Sequence, residues 1–258
     1  MERLRLLECL AADYGRLREV AVSDLTAAVP SCPGWTVADL VRHVAEVYLH
    51  KAECMRLNAF PDPWPPAGLD AEGPIALLDR GYAALVAEFA ARASDEPSRT
   101  WHEPDQTVGF WVRRMAQETV IHRLDAELAL GVPIAEIPDD LAIDGIDEVL
   151  KLFVDYGSHA WREEFESVLA DAKGRTVIVG VNGGPGWLLR TDSTGATVTD
   201  ADPSAAATML LDATVSGTAP GVLRWLWSRE SPGVSEAVPE GDDTALAELR
   251  GLLVASTQ

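Results

Sequence analysis

Residues 111–130 read WVRRMAQETVIHRLDAELAL. As a helix turning about 100° per residue, this stretch gathers Trp111, Met115, Glu118, His122 and Asp125 within an arc of about 80°. Ile121 and Phe110 extend the same side, and Arg113, Arg123 and Glu127 fall opposite. Glu118 and His122 thus sit in the middle of an apolar face. Polar groups are costly there unless they are paired or bind a metal. A Glu and a His one turn apart aim two ligand atoms at one point. On this helix alone, a buried Glu–His hydrogen bond and half of a metal site are both open readings.

Three more helices precede this one. Leu4, Leu7, Leu10, Tyr14, Leu17 and Val20 recur at helical spacing over residues 2–26. Pro30, Pro33 and Gly34 then enforce a loop. Thr36 and Asp39 form a capping box that opens a second helix, running to about Arg56. The four prolines of residues 58–69 exclude a helix. Ile75, Leu78, Tyr82, Leu85 and Phe89 mark a third helix over 72–93. The fourth begins near Gly109 and is stopped by Gly131 and Pro133. Four helices with these loop lengths predict a four-helix bundle over residues 1–135.

The pattern changes in the second half. Residues 139–170 read as one or two helices. The runs TVIVGV, GWLLR and ATVTDA follow, separated by glycine-rich turns. Thr218 caps a helix holding Leu223, Trp225, Leu226 and Trp227, and a last helix lies near 243–255. Residues 136–258 are therefore expected to form a smaller α+β domain.

Composition excludes several function classes. The 258 residues carry 21 Lys+Arg against 41 Asp+Glu, a net charge of −20. Such a chain is a poor ligand for nucleic-acid phosphates and for anionic membrane surfaces. No apolar run approaches the roughly 18 residues of a membrane span. The charged N-terminal stretch does not resemble a secretory signal, so the cytoplasm is the expected compartment. Cys9, Cys32 and Cys54 are odd in number and contain no CxxC pair, which excludes a disulfide scaffold and a four-cysteine zinc site.

His43 on the second helix favours the metal reading. Leu40, Val47 and Cys54 lie near its side of the helix, which points it toward the bundle interior. His50 is on the same stripe, roughly 10 Å further along the axis, and cannot share a ligand point with His43. Two histidines and a carboxylate from facing helices make a three-ligand site with an open position, the usual form of a catalytic zinc site.

These residues carry a family resemblance. Ser31-Cys-Pro-Gly-Trp35-Thr-Val-Ala-Asp39-Leu-Val-Arg-His43 resembles the opening signature of the mycothiol-dependent maleylpyruvate isomerase family, in the DinB-like superfamily. Gln117-Glu118-Thr-Val-Ile-His122-Arg-Leu-Asp125-Ala-Glu127 is similar to its second signature, except that many relatives carry a histidine where Gln117 stands. Residues 217–229, GTAPGVLRWLWSR, resemble a helix motif of its C-terminal domain. The resemblance implies a DinB-like four-helix bundle followed by a sterol-carrier-like α+β domain. It implies a divalent metal, with zinc expected, on His43, Glu118 and His122, and mycothiol as thiol cofactor.

A metal with an open position lowers the pKa of a thiol and yields thiolate at neutral pH. Thiolate can add to the activated alkene of maleylpyruvate, permit rotation and leave, which is isomerisation. It can equally form a stable conjugate with another electrophile, a detoxifying thiol transfer. Arg80 and Arg224 are candidates for holding the cofactor and Arg229 for the reaction site, because guanidinium groups bind carboxylates. The expected partners are a small electrophile and the thiol, with the protein monomeric or a weak homodimer. The alternatives are a metal-dependent hydrolase, and a small-molecule or lipid-binding protein with a structural metal.

Asp125 has two readings: orienting a ligating histidine, or a salt bridge to Arg114 or to the C-terminal domain. Cys32, Cys54 and Trp35 read as packing residues, and His102 and His159 as surface or loop histidines.

Overall fold

The computed structural model describes residues 1–170, 172–202, 209–231 and 233–257. These form two compact units, Met1–Glu136 and Ile137–Gln258.

The first unit is a bundle of α1 (Arg3–Ala21), α2 (Val37–Leu57), α3 (Pro74–Ala91) and α4 (Val108–Leu130). Its boundaries follow local chemistry. Thr36 and Asp39 make the reciprocal capping box that starts α2. The Thr107 hydroxyl accepts from Phe110 N at the start of α4, and Gly131 closes α4 in the left-handed conformation, φ 61°. Leu6, Leu10 and Leu17 of α1, Leu40, Val44 and Tyr48 of α2, Leu78, Leu85 and Phe89 of α3, and Trp111, Met115 and Leu124 of α4 fill the core. The α2–α3 pair approaches closely at Gly81, where an added Cβ would lie 2.7 Å from the Ala45 carbonyl oxygen.

α4 is buried on nearly every side, including the side opposite its apolar face. Arg123 and Glu127 are fully buried there. Arg123 pairs with Asp13 at 2.7 Å and with Glu127 at 2.7 Å, and Arg16 pairs with Glu127 at 2.8 Å. α1 covers this side with charged groups of its own, so the charges on α4 mark a second packing surface.

The second unit begins with α5 (Asp139–Glu148), a π-helical turn over Val149–Tyr156, α6 (Gly157–Ala160) and α7 (Arg162–Leu169). β1 (Lys173–Val181), β2 (Gly186–Asp192), β3 (Gly195–Ala201), β4 (Ala213–Gly217) and β5 (Ala237–Gly241) form one sheet in the order β3-β2-β1-β4-β5. The β1–β4 pair is parallel and the other pairs are antiparallel. α8 (Ala219–Leu226) follows β4 and is capped by Thr218; α9 (Asp243–Thr257) closes the chain.

The helical bundle followed by a smaller mixed α+β unit is the expected fold class. Two strands, β4 and β5, were not anticipated. β4 is five residues long, with no extended apolar run. β5 is a mostly exposed edge strand containing Pro239, a residue that strands tolerate only at edges. Trp225 and Trp227 pack within their own unit, Trp225 under Arg250 and Trp227 against Phe153. No helix is long and apolar enough to cross a membrane among the described residues.

Candidate metal centre

The capping box fixes where α2 begins and so places His43 on its second turn. α4 runs antiparallel beside it. Tyr48 and Thr119 hydrogen-bond between the two helices at 2.6 Å, which sets their register. Glu118 and His122 then face His43. His43 Nε2 lies 3.3 Å and His122 Nε2 3.2 Å from the same oxygen, Glu118 Oε1. One ligand atom from each residue falls within 4.8 Å of the others. The His43 side chain is 39% exposed, against 16% for Glu118 and 12% for His122, so the cluster opens to solvent on the His43 side.

Each ligand candidate is held by a further group. Asp125 is fully buried, and its Oδ2 accepts from His122 Nδ1 at 2.9 Å. That contact turns Nε2 toward Glu118. The Ser31 hydroxyl donates to Asp125 Oδ1, and Cys32 Sγ lies 3.8 Å from Oδ2. Both come from the loop before α2, which is pinned by Val29 N donating to Trp35 O and Trp35 N donating to Cys32 O. Trp35 brings its ring to 5.0 Å from that of His43. On the other flank, Arg114 donates to Glu118 Oε2 at 2.6 Å, so Oε1 alone is left for the histidines. Arg114 thus contacts Glu118, and Asp125 contacts His122.

The electrostatics match this arrangement. Burial opposes charge on Glu118, but the His122 charge, hydrogen bonds from both histidines and the Arg114 guanidinium hold its carboxyl well below the usual range. Burial also opposes charge on His122, but the Glu118 charge and the bonds to Asp125 and Glu118 raise it to about 9. Two carboxylates against one guanidinium favour a cation at the shared point. Two imidazole nitrogens and a carboxylate oxygen, with one ring fixed by a buried carboxylate, fit a borderline divalent ion such as Zn²⁺.

The remaining sequence candidates make contacts of their own. Arg80 is paired with Glu72 at 2.8 Å. In the second unit, Arg224 donates to the Arg229 carbonyl at 3.1 Å and to Ser231, and Arg229 donates to the Trp227 carbonyl at 2.6 Å. His50 contacts Lys51 and Cys54. His102 stacks on Phe110 in a loop, and His159 Nδ1 lies 2.8 Å from the Asp155 carbonyl oxygen in the second unit. Sequence reasoning missed Ser31 and Arg114 as supports. Ser31 does stand in the first signature, and Arg114 is one turn before Glu118.

Two family descriptions match the chain in this order. Residues 7–127 match "Mycothiol maleylpyruvate isomerase N-terminal domain", and residues 140–248 match "MDMPI C-terminal domain". The chain belongs to the mycothiol-dependent maleylpyruvate isomerase family. This is a family of enzymes. Two crystal structures of the mycothiol-dependent maleylpyruvate isomerase, one of a point mutant, are similar in fold. The mutant is 14% identical with a TM-score of 0.60, and 93% of each chain is covered. The other is 14% identical with a TM-score of 0.59 and the same 93% coverage of both chains. No curated protein matches the sequence.

Proposed function

We propose that this chain is a metal- and mycothiol-dependent enzyme that activates a thiol toward a small electrophile, with His43, Glu118 and His122 as the metal ligands. The observation that carries this reading is the convergence of three ligand atoms within 4.8 Å, open on the His43 side. A divalent ion held there, with zinc expected from the donor set, would supply the Lewis acidity that keeps a thiol sulfur as thiolate at neutral pH.

The chain's own residues do the positioning. Asp125 fixes the His122 tautomer, with the proton on Nδ1 and the lone pair on Nε2. Arg114 occupies Glu118 Oε2 and so keeps the carboxylate from swinging out of the site. Trp35 lies against one flank of His43, with ring centroids 5.0 Å apart. The reaction class is thiol addition to an activated carbon: elimination of the same thiol gives cis–trans isomerisation, and its retention gives a conjugate. The solved relatives are named for maleylpyruvate isomerisation, which makes that substrate the first to assay.

The test is a panel of electrophiles, maleylpyruvate among them, incubated with the zinc-loaded full-length chain and mycothiol and read by mass spectrometry. Products that require both metal and mycothiol support the proposal. Thiol-independent hydrolysis, with no mycothiol-dependent product, overturns it in favour of a metal-dependent hydrolase.

A further inference from the structure

The seam between α2 and α4 continues beyond the candidate metal centre. On α2 the stripe is His43, Val47, His50, Lys51 and Cys54; on α4 it is His122, Glu118, Arg114 and Trp111. The antiparallel register brings Lys51 over Trp111, with its Nζ 4.9 Å from the ring centroid. Trp111 is itself fixed, since its indole N–H lies 3.1 Å from both Ser98 Oγ and the Arg99 carbonyl oxygen.

Lys51 is half-buried, and its ammonium is short of partners. It donates to His50 Nδ1 at 3.2 Å. Burial lowers His50 to about 4, so that ring is a neutral acceptor at neutral pH. Among the described residues no carboxylate pairs with Lys51, in a chain with 41 acidic and 21 basic residues. Glu118 attracts it from along the seam but does not pair with it, and both Glu118 oxygens are engaged by His43, His122 and Arg114. An ammonium has three N–H groups, so two remain for a ligand. A cation taken partly out of water needs an anion or further acceptors to offset the loss of hydration.

We infer that Lys51 is a specificity-determining residue of this site, taking a carboxylate of the electrophile while the reacting carbon lies toward His43 and Glu118. The inference deepens the thiol-activation reading and rests on it for the identity of the site. Lys51 is eight residues from His43, about 12 Å along the helix axis. Side chains on a helix lean toward its N-terminus, which on α2 is the His43 end. The ammonium is held over Trp111, seven residues or roughly 10 Å along α4 from Glu118, and still feels the Glu118 charge. A small acyclic dicarboxylate fits this layout, with one end at the ligand cluster and a carboxylate at Lys51. At the far end, Trp64 and Phe60 lie against the His50 ring at 5.0 and 6.1 Å.

The test uses the zinc-loaded full-length chain and two unreactive probes, succinate and neutral succinamide, titrated by calorimetry. Succinate is expected to bind the wild-type chain. Lys51→Met keeps the apolar stem over Trp111 and should weaken succinate about tenfold or more. Lys51→Arg should stay within about threefold, and succinamide should not distinguish the three proteins. Equal succinate binding by wild type and Lys51→Met, or none by wild type, overturns the inference. If Lys51→Met does not fold, Lys51→Gln replaces it under the same criteria. Succinate binding needs no thiol, so a failed mycothiol assay would sink the proposed function while leaving this result readable.

Discussion

Asp125 Oδ2 lies 2.9 Å from His122 Nδ1, and the carboxylate that makes this contact is fully buried. Ser31 from the loop before α2 holds its other oxygen. Asp125→Asn should weaken zinc affinity about 10–100-fold, because the amide orients the ring less well and lowers its basicity. Competition with a chromogenic chelator measures this. Unchanged affinity with a lowered melting temperature would reduce Asp125 to a structural role.

His122 carries its proton up to about 9 in the metal-free chain. A raised histidine pKa contributes stability that is full below the unfolded value near 6.5 and is lost as pH rises through about 9. A metal on Nε2 must displace that proton. Zinc affinity should therefore rise about tenfold per pH unit between about pH 6.5 and 8.5, with one proton released per ion. Calorimetry in buffers of different ionisation enthalpy counts the protons. A pH-independent affinity with no proton release would contradict the placement of the metal on His122.

Gly81 is the closest point of the α2–α3 contact, with the Ala45 carbonyl 2.7 Å from where a Cβ would stand. Alanine normally favours a helix over glycine by roughly 0.5–1 kcal/mol. Here the clash is with backbone, so Gly81→Ala should lose about 1–3 kcal/mol. Denaturant titration checks the sign; a more stable variant would mean that the helices separate freely.

Glu127 is fully buried between Arg123 and Arg16. Glu127→Ala leaves the buried Arg123 with Asp13 as its one carboxylate, and the loss should be about 2–3 kcal/mol. The site lies on the opposite side of α4 from His122, so zinc stoichiometry of the folded variant should not change. Thermal melts with elemental analysis test both halves of that expectation.

Much of the bundle was legible because its signals are local. Thr36 and Asp39 mark the start of α2 within four residues, and Gly131 marks the end of α4. His43, Glu118 and His122 were visible from helical spacing, which shows which face a side chain shares. Spacing on one helix does not show what lies opposite. Ser31 reaches Asp125 only through the loop that Trp35 and Val29 pin, and Lys51 meets Trp111 only through the α2–α4 register. Arg123 and Glu127 lie opposite the apolar face, yet Asp13 and Arg16 of α1 bury them in ion pairs. β4 and β5 gave little signal because each is five residues long and β5 carries Pro239.

The most direct measurement is the absorption spectrum of the cobalt-substituted full-length chain on addition of mycothiol. Thiolate at an ion held by His43, Glu118 and His122 should give a sulfur-to-cobalt charge-transfer band at one equivalent of cobalt per chain, absent from Glu118→Ala and His122→Ala. Cobalt bound at one equivalent with no such band at saturating mycothiol would contradict thiol activation at this centre.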